Sequence, residues 1–369
     1  MTALVVSDLH LGTRSGLDLL RREGPRRALA EALDGVDEVV LLGDVVELRE
    51  ERTGLALADA RPALEALGRA LGSKRRVVLT AGNHDHRLVG DWLERRRLEA
   101  EPAPLRAEQR MTPAEASALA EAVAQALAPA PVEVAYPGAF VAYGVYATHG
   151  HYLDLHNTVP ALETLAARFV ERVLRRRGRV PEGADGYEAV LAPVYALAHE
   201  LVQHVPTGAS AGAGPSQRAY RVLTAQGPRP LRHRAASDVA FPALVAGLNR
   251  LGLGPVGADL SGPALRRAAL RAMGEVARRL VPDARHVIFG HTHRIGPLPA
   301  DDATEWASPA GARLHNCGSW IFERFLVGDE DDGHPYWPGG AVRVNGADDI
   351  QRLRLLAGRT REQLIGPRA

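Results

Sequence analysis

Ala3-Leu4-Val5-Val6-Ser7-Asp8-Leu9-His10-Leu11-Gly12 decides how the rest of the chain is read. Four apolar residues predict a short strand, and the run stops on a carboxylate and an imidazole two positions apart. Residues two apart at a strand end point the same way, so Asp8 and His10 can serve one ion. The pattern then returns. Glu38–Leu42 predicts a second strand ending at Gly43-Asp44, and Arg76–Thr80 a third ending at Gly82-Asn83-His84-Asp85. Helical stretches over 25–33 and 61–71 lie between them. Strands alternating with helices predict parallel pairing through helical crossovers. Such sheets bind ligands just beyond the carboxyl ends of their strands, where these clusters fall.

Two further clusters follow. Strands over 132–136 and 140–148 read as a hairpin about Pro137-Gly138, the second delivering His149-Gly150-His151. A strand over 285–289 leads into Gly290-His291-Thr292-His293. Between the clusters the chain reads as helical. Thr112-Pro113-Ala114-Glu115 combines an N-cap, a first-turn proline and a capping-box glutamate, opening a helix expected to run through Leu127. Further helices are expected over 160–176, 187–203, 242–251 and 264–280, with a low-complexity surface loop over 208–216. Strands over 313–316, 324–327, 341–345 and 352–356 suggest a second sheet. The core is thus expected in 1–97, 131–155 and 283–369, with a helical insertion over 98–130 and a helical cap over 156–282.

The 369 residues are enough to bury a substantial core, and a net charge of +1 points to no acidic polymer as partner. The single cysteine, Cys317, excludes an intramolecular disulfide framework. With no charged leader and no run near the ~20 apolar residues of a bilayer span, a cytoplasmic protein is expected. The charge is uneven, however: 156–282 holds 17 arginines against nine acidic residues. A basic cap beside a metal site attracts phosphorylated substrate. Arg172, Arg175, Arg176 and Arg179 also offer a face for peripheral membrane contact, although a solvated helix face explains any one of them. His199-Glu200 with His204 imitates a zinc-protease helix, but its histidines are five apart, about 140° around the helix, and cannot share an ion.

Hydrolytic divalent metals take hard oxygen ligands with some imidazole nitrogen. Asp8, His10, Asp44, Asn83, His149, His291 and His293 offer that set, each after an apolar run. One aspartate reaching two ions is the natural bridge, and Asp44 is the candidate. A single such motif says little. Five in this order, without metal, would leave buried carboxylates and imidazoles uncompensated, which is costly.

Together the motifs resemble the full signature of the calcineurin-like metallophosphoesterases. The resemblance implies a four-layer α-β-β-α sandwich with a mainly helical cap. It places Asp8, His10, Asp44 and His293 on one ion, and Asp44, Asn83, His149 and His291 on the other. The implied reaction is hydrolysis of a P–O bond by a hydroxide bridging two divalent ions, manganese being favoured with iron or zinc as alternatives. In motif style the chain is similar to the UDP-2,3-diacylglucosamine pyrophosphatase branch. It departs from that branch at His84, where the branch carries arginine, and at His151, where it carries aspartate. His84 is read as the group that stabilises the transition state or protonates the leaving alkoxide. Asp85 either orients His84 or caps a helix. The expected substrate is a phosphorylated small molecule or lipid headgroup, and nucleic acid is not an expected partner. A nuclease or cyclic-nucleotide phosphodiesterase is the rival enzyme. A non-catalytic scaffold is the other rival, but it would have lost ligands that are all present here.

Overall fold

A computed structural model describes residues 1–159, 162–176, 183–204, 241–250, 254–257, 259, 261–328 and 332–366. β1 (Ala3–Val6), β2 (Glu38–Leu42) and β3 (Arg76–Thr80) form at the expected residues, joined by α1 (Glu23–Glu31) and α2 (Thr53–Leu71). The second helix starts earlier than its periodicity predicts and carries Pro62 in its interior. An interior proline costs about 3 kcal/mol, and the buried stripe of Ala60, Ala63, Leu64, Leu67 and Leu71 outweighs it.

The chain continues through α3 (Gly90–Leu98), β4 (Gln109–Met111), α4 (Pro113–Ala116), α5 (Ala118–Ala126) and β5 (Val132–Tyr136). The capping box of Thr112 and Glu115 is present, but the helix it opens ends at Ala116. Ser117 turns extended, and its hydroxyl accepts from the Ala120 N–H to start α5 afresh. β4 falls within the stretch read as helical and forms an antiparallel edge on β5.

β6 (Gly138–Ala142) and β7 (Val145–Thr148) come next, and here the expected hairpin is corrected. β5 pairs in parallel with β3 in one sheet, whereas β6 pairs with β7 in the other. Pro137 is therefore where the chain crosses between sheets, and the hairpin turns at Tyr143-Gly144. The cap helices are α6 (Leu162–Arg176), α7 (Gly183–Gln203), α8 (Phe241–Arg250) and α9 (Gly262–Leu280). The loop read over 208–216 lies outside the described residues. β8 (His286–Phe289), β9 (Ile295–Gly296), β10 (Arg313–Cys317), α10 (Arg324–Val327), β11 (Gly340–Val344), β12 (Ile350–Arg354) and α11 (Arg361–Ile365) complete the chain. The strand expected over 324–327 is a single helical turn, and β11 and β12 join the first sheet rather than a second one.

The larger sheet runs β12-β11-β1-β2-β3-β5-β4 and the smaller β6-β7-β8-β10-β9. Strand side chains alternate between two faces. Ala3, Val5, Val40, Leu42 and Val78 meet Val145, Ala147 and Ile288 between the sheets. Leu4, Val6, Val39, Leu41 and Leu79 face α1, α2 and α5 outside. With both faces covered, the strands read as continuous apolar runs. This is the four-layer α-β-β-α sandwich. β1, β2 and β3 in one sheet and β7 and β8 in the other all carry a cluster on the loop after their carboxyl ends. Among the described residues no helix is long and apolar enough to cross a membrane.

Candidate metal centre

Asp8, His10, Asp44, His291 and His293 have φ between 46° and 64°, and they are the only non-glycine residues with positive φ among those described. Left-handed backbone costs about 1 kcal/mol or more at each such residue and persists where the surroundings impose it. Its confinement to five of the seven expected ligands marks the loops as shaped for a site. Gly82 and Gly290 allow the loops to close: a Cβ on Gly290 would overlap Ser7 and the Asp8 carboxylate, and one on Gly82 would overlap Asp44.

All seven expected ligands converge. The His10 and His293 Nε2 atoms lie 3.2 Å apart, and His293 Nε2 is 3.2 Å from Asp8 Oδ1. Asp44 Oδ2 stands 3.8 Å from His10 Nε2 and 3.3 Å from His149 Nε2, joining the two halves of the cluster. Asn83 Oδ1 is 3.2 Å from His149 Nε2 and 3.0 Å from His291 Nδ1. Two triads that can each hold a metal ion emerge, Asp8-His10-His293 and Asp8-Asp44-His149. A third is His10-Asp44-His84, so His84 also stands within ligand distance of the site.

The far side of each imidazole is engaged. His10 Nδ1 is 2.8 Å from Glu47, His293 Nδ1 2.6 Å from Glu323, and His291 Nε2 3.0 Å from Asp154. His149 Nδ1 is 3.0 Å from the Leu42 carbonyl. A neutral imidazole that donates on one side is an acceptor on the other. The remaining nitrogens of His10 and His293 therefore turn lone pairs towards each other, and those of His149 and His291 turn theirs to the Asn83 oxygen. Asp8 Oδ2 accepts from the His291 N–H, while its buried Oδ1, 3.2 Å from His293 Nε2, has no hydrogen-bond partner among the described residues. Asp44 Oδ1 accepts from the His84 N–H, leaving Oδ2 to the cluster. So many acceptors aimed at one small space call for cations.

The electrostatics agree. Burial penalises charge on His10, yet Glu47 and Asp44 outweigh it and raise the imidazole to about 9. His149 is likewise lifted against burial to about 9, by Asp44 and Asp8. Burial would raise the Asp8 carboxyl, but His293 and His149 hold it at about 2. The cluster draws positive charge from protons when it has no other source, and metal ions replace such protons.

Three carboxylates of the site escaped the sequence reading: Glu47, Asp154 and Glu323. Glu47 holds both His10 and His84, lying 2.8 Å from each Nδ1. The expectation that Asp85 orients His84 is corrected accordingly. The Asp85 carboxylate instead accepts from the N–H groups of Asp44, Val45 and Gly82, at 3.1, 2.7 and 2.7 Å, and makes no capping bond to the helical turn His86–Val89 that Asp85 precedes. It clamps the Asp44 and Asn83 loops together, and burial with the Asp44 charge pushes it up to about 6. His151 is buried among Tyr136, Tyr152 and Tyr195 and is held neutral by burial and by His149. His199 and His204 each face a backbone carbonyl, of Leu48 and Glu200, away from any cluster.

The pattern of the calcineurin-like phosphoesterases matches residues 1–207. This chain belongs to the calcineurin-like phosphoesterase family. It is a hydrolase of phosphate esters, and its family generally binds divalent metals. The match ends before His291 and His293, which the fold of this phosphoesterase brings back to the site from β8. No curated protein matches the chain.

Proposed function

We propose that this phosphoesterase works with two divalent ions, one held by Asp8, His10, Asp44 and His293, the other by Asp44, Asn83, His149 and His291. The observation that carries this is the facing pair of His10 and His293 nitrogens, 3.2 Å apart with a carboxylate behind each ring. Asp44, whose Oδ2 lies between His10 and His149, would serve both ions. The mixed nitrogen and oxygen set suits manganese, with iron or zinc as alternatives. Such ions supply a water-derived nucleophile at neutral pH and neutralise charge on the phosphoryl oxygens.

The chain's own residues do the rest. Asp85 keeps the Asp44 and Asn83 loops in register through three backbone N–H groups. Glu47 fixes His84 at Nδ1, which orients Nε2 so that, when a proton is also bound there, it passes to the leaving alkoxide as the P–O bond breaks. His84 is partly exposed and so accessible to substrate. The substrate is read as a phosphorylated small molecule. The buried, unpaired Cys317 accords with a reducing, cytoplasmic setting.

Turnover of p-nitrophenyl phosphate with and without chelator tests the reading. Activity is expected to vanish on chelation, to return with Mn²⁺, and to be lost in Asp44→Ala. Metal-independent turnover, or wild-type rates in Asp44→Ala, would contradict it.

A further inference from the structure

Beside Asn83 and His84 a cleft leads away from the ligand cluster, between α3 and α7. It encloses about 100 Å³, room for a few heavy atoms and well below the ~300–1,000 Å³ of pockets that hold larger ligands. Leu93 of α3 and Ala192 and Tyr195 of α7 form an apolar floor. The lining also carries three guanidinium groups, Arg49, Arg87 and Arg97, against the single carboxylate of Glu94. Arg87 lies 3.6 Å from Asp91, and no carboxylate among the described residues pairs with Arg97.

The α7 wall is fastened in place. Glu188, buried in α7, accepts from the Tyr136 and Tyr152 hydroxyls at 2.5 and 2.6 Å, and its other oxygen is 3.1 Å from His86 Nε2. These three residues belong to β5, to the turn after His149 and to the turn after Asn83. α7 cannot leave this position without breaking three buried polar contacts, each costly to leave unmade. The cleft beside α7 is thereby built into the fold, and Asn83 and His84 line it on the side of the metal centre.

We propose that this cleft receives the alcohol portion of the substrate, and that Arg97 and Arg87 bind a second anionic group on it, a phosphate or a carboxylate. The inference rests on the phosphoesterase reading above and narrows it to compact, doubly anionic phosphate esters. Guanidinium groups suit either anion, because their planar donors match two oxygens at once. The apolar floor accommodates the short carbon link between the two anions.

Two probes that differ mainly in a carboxylate test this, 3-phosphoglycerate and glycerol 3-phosphate, with the full chain and Mn²⁺ supplied. Wild type is expected to prefer 3-phosphoglycerate in kcat/KM by about tenfold or more, chiefly through KM. In the double variant Arg87→Ala, Arg97→Ala that preference falls to near one. Both side chains are exposed, Arg87 on the turn His86–Val89 and Arg97 on α3, and circular dichroism checks that the variant folds. Equal kcat/KM values in wild type, or an unchanged preference in the variant, would overturn the subsite. p-Nitrophenyl phosphate in the same preparations separates the two levels of the claim. Its hydrolysis without discrimination between the probes defeats the subsite alone. Failure to hydrolyse any of the three defeats the phosphoesterase reading, and the subsite with it.

Discussion

Glu323 stands 2.6 Å from His293 Nδ1, Glu47 2.8 Å from His10 Nδ1 and Asp154 3.0 Å from His291 Nε2, so three of the four histidines have a carboxylate directly behind their proposed metal-binding nitrogens. A carboxylate there fixes the tautomer and makes the other nitrogen more basic. Glu323→Gln keeps the shape and removes the charge. Its Mn²⁺ affinity is expected to fall about 10–100-fold in a calorimetric titration of the metal-free chain, with the fold intact. Unchanged affinity would show that Glu323 has no influence on the metal. Asp8, His10, Asp44, Asn83, His149, His291 and His293 were legible in the sequence because each follows an apolar run that ends abruptly. Glu47, Asp154 and Glu323 carry no such local mark. Each looks like any solvent-facing acid until folding sets it behind a ring. Asp85 failed for a related reason. Its neighbour in sequence is His84, but its partners are the N–H groups of Asp44 and Val45 on a different loop.

β8, β10 and β12 hold a second cluster of nitrogen groups, remote from the metal site. His286 Nδ1 lies 3.0 Å from His315 Nε2, and Arg352 lies 3.3 Å from His315 Nδ1. Burial, then the charges of His286 and Arg352, lower His315 to about 3. The folded chain therefore keeps this imidazole neutral at pH values where the unfolded chain, near the ordinary 6.5, takes up a proton. The stability it contributes is complete above pH 6.5 and is lost as pH falls from there towards 3. Between pH 7 and 5 the loss is about 2 kcal/mol. In urea titrations at those two pH values, His315→Gln should lose less stability than wild type by about that amount. Equal losses in the two chains would contradict it. At this scale β1, β2 and β3 were readable to the residue, since an apolar run bounded by turn residues has few other meanings. The 324–327 segment was not, because four apolar-rich residues fit a helical turn as well as a strand. The crossing at Pro137 was also hidden. Adjacent strands usually pair with each other, but β5 is captured by β3 and β6 by β7.

The whole molecule draws its site from distant stretches of chain: the His291 N–H donates to Asp8 Oδ2 at 3.0 Å across 283 residues. The sandwich architecture was legible through the motifs' resemblance to a family, while the alternation of strands and helices by itself gave the parallel pairing of β1, β2 and β3. The cap's basic character was legible too, but the use of its charges was not. Arg168 binds the Pro255 and Asn157 carbonyls, Arg266 pairs with Glu305, and Arg278 and Arg279 share Glu275. Arg168 thus ties two cap segments, Arg266 ties α9 to the core, and Arg278 and Arg279 make surface pairs within α9, whereas the cations beside the cleft belong to the core segments near Asp44 and Asn83. Arg179 and the side chains of Arg175 and Arg176 lie outside the described residues. The account depends on the chain enclosing a pair of ions that share Asp44, and electron paramagnetic resonance of the chain loaded with two equivalents of Mn²⁺ reads this directly. Ions about 4 Å apart are exchange-coupled, so a multiline spectrum of a coupled pair is predicted, lost in Asp44→Ala. The six-line signal of isolated Mn²⁺ in the wild-type chain would contradict it.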